Sequence, residues 1–347
     1  MYRWAEDKDK RAVMALWAAD FESYEPYYSW YFSTVYRPEF TLCDFDGPRL
    51  AAMLQLAPYT LWLRGADLPV VYLVGVITDP DHRGQGRGHA LLGEAQDRLA
   101  IKGYAAALLY TDVPGFYAPL GYRHCYKRQQ LDLPGSMLAV FAAFGTGAAI
   151  WRDGSLKGDI PALSAIYQRM TACYEGYIRR GRDDWEKYLG EHNCDKAMLT
   201  LAEDRAYLLC VPEGEKLRII ELGFADTPCL TEALAQAARL ALAAGLKGIS
   251  WHAPLDVPGL LPLIPPGLWQ ACPFVMARLI NVQTVLDALA CPPAVRRILA
   301  RLNTPDLTQL IFGVTGAPEE CAGLDTKERH LLAESFPALP GWINEYT

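Results

Sequence analysis

Residues 83 to 88, Arg83-Gly84-Gln85-Gly86-Arg87-Gly88, alternate glycines with long cationic or amide side chains. An apolar run, Val74 to Thr78, leads directly into them, and a helical pattern, Ala90 to Ala100, follows. Glycines at 84, 86 and 88 let the backbone turn tightly and approach a ligand. The helix points its free N–H groups and positive dipole end at the same spot. That arrangement cradles an anion, and a pyrophosphate suits it. The Gly-Lys-Ser/Thr of a nucleotide-binding P-loop is absent, and so is the G-x-G-x-x-G with a later acidic residue that marks dinucleotide sites. A plain surface turn between strand and helix is the competing reading.

The loop resembles the Arg/Gln-x-x-Gly-x-Gly/Ala signature of the GCN5-related N-acetyltransferases (GNAT), whose consecutive loop amides hold the pyrophosphate of coenzyme A. After the helix come the turn Lys102-Gly103, a strand over Ala105 to Tyr110, and Gly115-Phe116-Tyr117-Ala118-Pro119-Leu120-Gly121-Tyr122. This segment is similar to the Phe-Tyr-x-x-x-Gly-Phe/Tyr stretch that closes the cofactor site of the same superfamily. Tyr117 alone reads as core; downstream of the phosphate loop it reads as a site residue. The resemblance implies coenzyme contacts from Val76, Ile77 and Thr78, from Arg83, Gly84, Gln85, Gly86, Arg87, Gly88 and His89, and from Asp112 and Val113. His82 and His89 flank the loop, where a solvated position is the simpler alternative.

The elements before the loop position it. Asp7 to Phe21 has helical apolar spacing at Val13, Leu16 and Trp17, and strands are predicted over Phe40 to Phe45, Arg49 to Leu56 and Val70 to Thr78. Between helix and strands lies an aromatic run from Phe21 through Tyr24, Tyr27, Tyr28, Trp30, Tyr31 and Phe32 to Tyr36. In acetyltransferases of this fold that segment lines the acceptor pocket, so Tyr24 and Trp30 are candidates to stack on a substrate, with Asp20, Glu22 and Glu25 to pair with an ammonium. A helical hairpin packed by aromatics fits the same residues equally well.

The chain of 347 residues is too long for one such domain. Its formal net charge of −7 disfavours nucleic acid and favours cationic substrates. Nine cysteines without a C-x-x-C pair fit neither a disulfide framework nor a zinc ribbon, and the six histidines show no metal-ligand spacing. No metal is expected. No run approaches the ~18 apolar residues of a membrane span, and Met1-Tyr-Arg-Trp-Ala-Glu-Asp-Lys is not a signal peptide, so a cytoplasmic protein is expected.

The centre repeats the plan without its chemistry. Glu221-Leu-Gly-Phe-Ala-Asp-Thr-Pro228, an Ala/Leu-rich helix, Gly245 and a strand over Gly248 to His252 parallel Val74 to Pro80, helix, Gly103 and strand. The second interval is shorter by the glycine-arginine loop, so this copy is expected not to bind coenzyme. Beyond Phe274, Met276 to Leu286 reads as a strand turning into a helix, Val295 to Leu302 as a helix, Leu307 to Phe312 as a strand and Thr326 to Phe336 as a helix.

Taken whole, the chain resembles the enhanced intracellular survival (Eis) acetyltransferases. The resemblance implies an α/β (α+β) fold of tandem GNAT units with mixed, splayed central sheets: an active unit over 1–135, a degenerate copy over 136–274, and a sterol-carrier-like domain over 275–347, here shortened. It implies a homo-oligomer, a hexamer in that family. It implies acetyl-CoA as donor and a small-molecule or peptide amine as acceptor. A backbone amide of Val76-Ile77-Thr78 would hold the thioester carbonyl, Tyr117 would be the general acid and the terminal carboxylate of Thr347 the base. Aminoglycosides, lysine side chains and polyamines all suit an acidic pocket. Two other readings are a catalytically silent small-molecule-binding protein of the same fold and an acyl or lipid carrier.

Overall fold

The computed structural model describes residues 1–345 other than 22, 146, 148, 255, 256, 258–263 and 266. Two sheets carry the fold. In chain order the strands are β1 (Tyr2–Trp4), β2 (Thr41–Asp46), β3 (Arg49–Leu63), β4 (Ala66–Thr78), β5 (Ala106–Leu109), β6 (Arg123–His124), β7 (Lys127–Pro134) and β8 (Arg152–Asp153). There follow β9 (Gly176–Arg179), β10 (Met198–Ala202), β11 (Ala206–Glu213), β12 (Lys216–Phe224), β13 (Gly248–Pro254), β14 (Trp269–Pro273) and β15 (Met276–Leu279). The first sheet has the order β1-β2-β3-β4-β5-β15-β6, with β9 on the far end of β3; the second has the order β14-β7-β13-β12-β11-β10-β8.

The helices of the first half are α1 (Lys10–Phe21), α2 (Tyr27–Trp30), which continues into a π-helical turn at Tyr31–Val35, α3 (Arg87–Ile101) and α4 (Pro114–Tyr117). Those of the centre are α5 (Gly135–Ala143), α6 (Ile160–Thr171), α7 (Arg182–Cys194) and α8 (Thr227–Ala243). The apolar stripe of α3, Leu91, Leu92, Ala95 and Leu99, covers one face of the first sheet; Val13, Leu16 and Trp17 of α1 join a larger core on the other. The internal repeat is visible: β4-α3-β5 and β12-α8-β13 are the same strand-helix-strand unit, and each closes with a parallel pair.

The sheets trade strands. β7 leaves the first 135 residues to pair with β13 and β14, and β15 returns from beyond residue 275 to sit between β5 and β6. After β15 the described chain is helical: α9 (Val282–Ala288), α10 (Pro293–Leu299), α11 (Thr304–Ile311), α12 (Ala317–Glu320) and α13 (Thr326–Ser335). Val285, Val295, Leu310 and Leu332 of these helices are buried in the core of the first sheet. Among the described residues the C-terminal segment therefore builds no sheet of its own, and its strand β15 belongs to the first sheet. The strand predicted at Leu307 to Phe312 is the helix α11. Asn303 caps it by accepting from the Asp306 amide, Pro305 fits its first turn, and Leu307, Leu310 and Ile311 recur at helical spacing.

The end of the chain threads between the halves. Trp342 donates its amide to the Gly176 carbonyl at 2.6 Å, and the ring of Tyr126 lies against both Gly176 and Gly341, where any side chain would collide with it. Arg180, just past β9, is buried. It donates two bonds of 2.8 Å to Glu221 on β12 and one of 2.8 Å to Glu345 in the tail. Glu221 also accepts from Tyr207 (2.6 Å), Tyr188 (3.2 Å) and Asn344 (3.0 Å). Burial opposes the charge of Glu221, but Arg180 and these donors hold its carboxyl below the usual range. Arg180→Met strands two buried carboxylates and is expected to cost about 3–5 kcal/mol in denaturant unfolding. Breaking the exposed Arg182–Glu186 pair should leave stability nearly unchanged.

Candidate active site

The site begins where β4 leaves its neighbour. β4 and β5 pair in parallel from Val70 with Ala106 to Tyr72 with Leu108, and go no further. From Val74 to Thr78, β4 keeps its ladder with β3 alone. A register shift opposite Met53 and Gln55 bulges the strand there, with Gly75 at φ +58°. Glycine is required at this position, since a Cβ would lie 2.6 Å from the Trp17 ring. The backbone of Val76, Ile77 and Thr78 therefore offers an edge toward the gap between β4 and β5. Ile77 buries its side chain in the core, so its part is main-chain only.

The loop after β4 is braced from below. Asp79 accepts from the Asp81 amide, and His82, buried, lies 3.2 Å from Asp79 and 3.3 Å from Asp46, which makes it a strut of the loop. Gly84 and Gly86 take φ of +73° and +74°, a conformation few other residues adopt. Gly86 is the N-cap of α3 and supplies no side-chain cap, so the first-turn amides are left open to a ligand. Gly88 is tight: a Cβ would meet Phe116 at 3.0 Å and the Thr78 hydroxyl at 3.4 Å. The three glycines thus serve backbone path and close approach.

The cationic side chains of the loop are held by carboxylates. Arg83 donates to Asp20 at 2.5 Å and to the Thr78 carbonyl at 3.1 Å. Arg87 turns back to Asp44 at 2.8 Å, and Gln85 donates to the Asp81 carbonyl at 3.3 Å. His89 sits 2.9 Å from the Phe116 carbonyl with its ring against Phe116. This contact fastens α3 to α4, which carries Tyr117. Tyr117 is half-buried between Phe116 and Tyr122, and burial pushes its hydroxyl up to about 12, so it stays protonated at physiological pH. Asp112 accepts from Tyr110 at 3.0 Å and Val113 is exposed, both on the loop that follows β5.

The proposed acceptor residues are dispersed. Asp20 belongs to the phosphate loop through Arg83, Glu25 accepts from the Ser29 hydroxyl at 2.7 Å, and Tyr24 is exposed. Trp30 packs against Gly190 of α7, while Trp17, Tyr31 and Phe32 stack within the core. Glu22 and Thr347 lie outside the described residues. The last described tail residue, Glu345, is docked by Arg180.

The structure adds residues that no motif marks. A cleft of about 350 Å³ between the halves is lined by Tyr110 from the end of β5, Glu191, His192 and Asp195 from α7 and its end, Arg218 from β12 and His252 from β13. One signal was present: His192 follows Trp185 and Tyr188 at helical spacing, placing an imidazole on the buried face of α7.

Residues 1–125 match the profile of the acetyltransferase (GNAT) domain. That segment, about a third of the chain, is similar to a GNAT acetyltransferase domain. Such domains use acyl-coenzyme A donors. Over 135 residues, 36% of this chain, the sequence is 27% identical to N-acetyltransferase Eis of Mycobacterium tuberculosis, of which the match spans about a third (32%). A GCN5-related N-acetyltransferase from Anabaena variabilis, 16% identical, shares the fold over 100% of both chains with a TM-score of 0.84. Eis1 from Mycobacterium abscessus, 14% identical, does so over 100% of both chains at 0.76. The shared architecture therefore extends through the strand exchange and the helical C-terminal segment.

The two copies of the strand-helix-strand unit differ at the N-terminal end of the helix. In the GNAT domain it is bare Gly86; in the centre it is Asp226, whose carboxylate accepts from the Cys229 amide at 2.8 Å and is held below its usual range by that contact. Gly86→Asp copies the closed arrangement, in a conformation that aspartate tolerates better than most residues. It is expected to abolish coenzyme A binding in calorimetry while the protein still unfolds in one cooperative transition.

Proposed function

We propose that the protein transfers an acetyl group from acetyl-coenzyme A to a primary amine of a polycationic acceptor by direct attack. The observation that carries this reading is the pairing of an uncapped helix N-terminus with an unpaired strand edge, the half-buried hydroxyl of Tyr117 following in the next turn of chain. The residues fit the coenzyme: the open amides from Gly84 to Gly88 suit a pyrophosphate, and the free edge of Val76 to Thr78 suits the amide-bearing arm. The bound coenzyme supplies an activated thioester acyl group.

The chain's own groups supply the rest. An attacking ammonium must give up a proton, the thioester oxygen needs a donor as charge develops on it, and the departing sulfur gains from a proton. A main-chain amide of Val76 to Thr78 supports the oxygen, and Tyr117, kept protonated by burial, donates the last proton. The Eis resemblance assigns the proton acceptor to the carboxylate of Thr347. The docking of Glu345 by Arg180 and of Asn344 by Glu221 supports that assignment, because it draws residues 342–345 in between the two sheets.

Acetyl-coenzyme A at about 100 times its dissociation constant should add roughly 2.7 kcal/mol of stability. ATP and NAD should leave the melting temperature unmoved. Release of free thiol on addition of an amine separates an enzyme from a silent binding protein of the same fold. Tyr117→Phe should lower kcat by about 10²-fold with little change in coenzyme affinity, and an unchanged kcat removes Tyr117 from the role. A few residues added after Thr347 should cost most of the activity and little stability, measured by thiol release and thermal unfolding.

A further inference from the structure

The cleft between the halves is not explained by the coenzyme. It opens where β12 and β13 part: their parallel pairing ends at Ile219 with Trp251, and Ile220 and His252, the next residues, line the cavity. Tyr110, following β5, closes it from the GNAT side. The central copy has thus kept its splay, and the gap faces the domain that carries the phosphate loop.

The polar groups in this cavity are unbalanced. Asp195 lies 4.0 Å from Arg218, whose guanidinium also meets Glu213 at 3.1 Å. Arg128 stacks on Phe274 at 4.3 Å and Tyr110 at 5.4 Å. Glu191 has neither ion pair nor hydrogen bond among the described residues. Burial raises its carboxyl to about 8, and the neighbouring carboxylates Asp195 and Glu345 add to the rise. His192 is only 6% exposed, yet neither of its ring nitrogens has a hydrogen-bond partner among the described residues. Burial lowers His192 to about 3 and His252 to about 4, so both imidazoles are neutral and offer acceptor nitrogens without adding positive charge. A half-buried carboxyl without a cation, beside a buried imidazole without a donor, suits an ammonium group, which has several N–H bonds to give and whose charge favours the carboxylate form.

We propose that this cleft is the ammonium site of the acceptor, with the carboxylate of Glu191 as its anionic partner and the imidazole of His192 as a neutral acceptor beside it. The proposal rests on the acyl-transfer reading and adds to it: the central copy, having lost its coenzyme site, supplies the wall that selects polycationic amines. Tyr27 and Tyr31, on the aromatic segment that faces α7, are the neutral groups next to Glu191 from the GNAT side, and both feel its charge. The titratable groups facing it are these two tyrosines, Tyr110, Cys194, Asp195, Glu345, Glu213, Arg218, Arg128 and the two histidines.

The test is calorimetric titration of the full chain with spermidine, a trilysine peptide and kanamycin as probes, and n-butylamine as the single-charge control. At pH 8.5, Glu191→Gln is expected to weaken at least one polycationic probe by about 10- to 100-fold, and Glu191→Asp to keep it within a few-fold. The carboxyl is protonated below about pH 8 and charged above it, so wild-type affinity relative to Glu191→Gln should grow from pH 6.5 to 8.5. Retention of the acetyl-coenzyme A melting shift in Glu191→Gln shows that the variant is folded. Equal affinity of wild type and Glu191→Gln for every probe, or no binding of any probe to wild type, overturns the proposal. An absent coenzyme shift with Glu191-dependent spermidine binding intact sinks the proposed function and leaves the amine site standing.

Discussion

A guanidinium cannot be left alone in a protein interior. Arg180 is 7% exposed, and the cost of burying it is offset only because Glu221 and Glu345 arrive from two directions and the rings of Tyr167, Trp185 and Tyr188 close around it within 4.7 Å. The three charged groups belong to the end of β9, the middle of β12 and the tail. β9 is paired with the first sheet and β12 lies within the second. One buried cation therefore fixes the relation of the two sheets and the path of the tail between them. Tyr207, Tyr188 and Asn344 donate to Glu221 and so share the excess negative charge of a cluster with two carboxylates and one cation.

The same cluster marks where the two strand-helix-strand units differ. In the N-terminal unit the position after the bulge, opposite Met53, is Ile77, and the gap beside β4 stays open. In the centre the corresponding position, opposite Leu209, is Glu221, and a built-in ion pair occupies that side of the strand. Tyr207 lies over Gly223 so closely that a Cβ there would overlap its ring. Asp226 seals the helix end.

Sequence alone reveals the glycine loop because glycine at 84, 86 and 88 answers a local demand, backbone conformation and close approach, that only composition at those positions can satisfy. It also reveals the repeat, since strand, helix and strand each have their own periodicity. It does not reveal which strand pairs with which. Leu131 and Leu133 of β7 alternate as any strand does, and nothing in that alternation names β13 as partner. The helix at Thr304–Ile311 is missed because a short apolar run satisfies both periods, and only its cap, Asn303, decides. The cleft is assembled from Tyr110, Arg128, Glu191, Arg218 and His252, five separate elements with no common spacing, so only the fold can show it.

The traded strands bear on how the chain is made. During synthesis β5 emerges with its outer edge bare, and the strand that covers it, Met276–Leu279, leaves the ribosome only after the whole central copy has been translated. An exposed strand edge at Ala106 to Leu109, with apolar groups on both faces, is prone to pair with other chains in the interval. The nascent GNAT domain is in this sense an unfinished sheet, and its safe completion depends on how soon the distal segment is delivered or on a chaperone that shields the edge meanwhile.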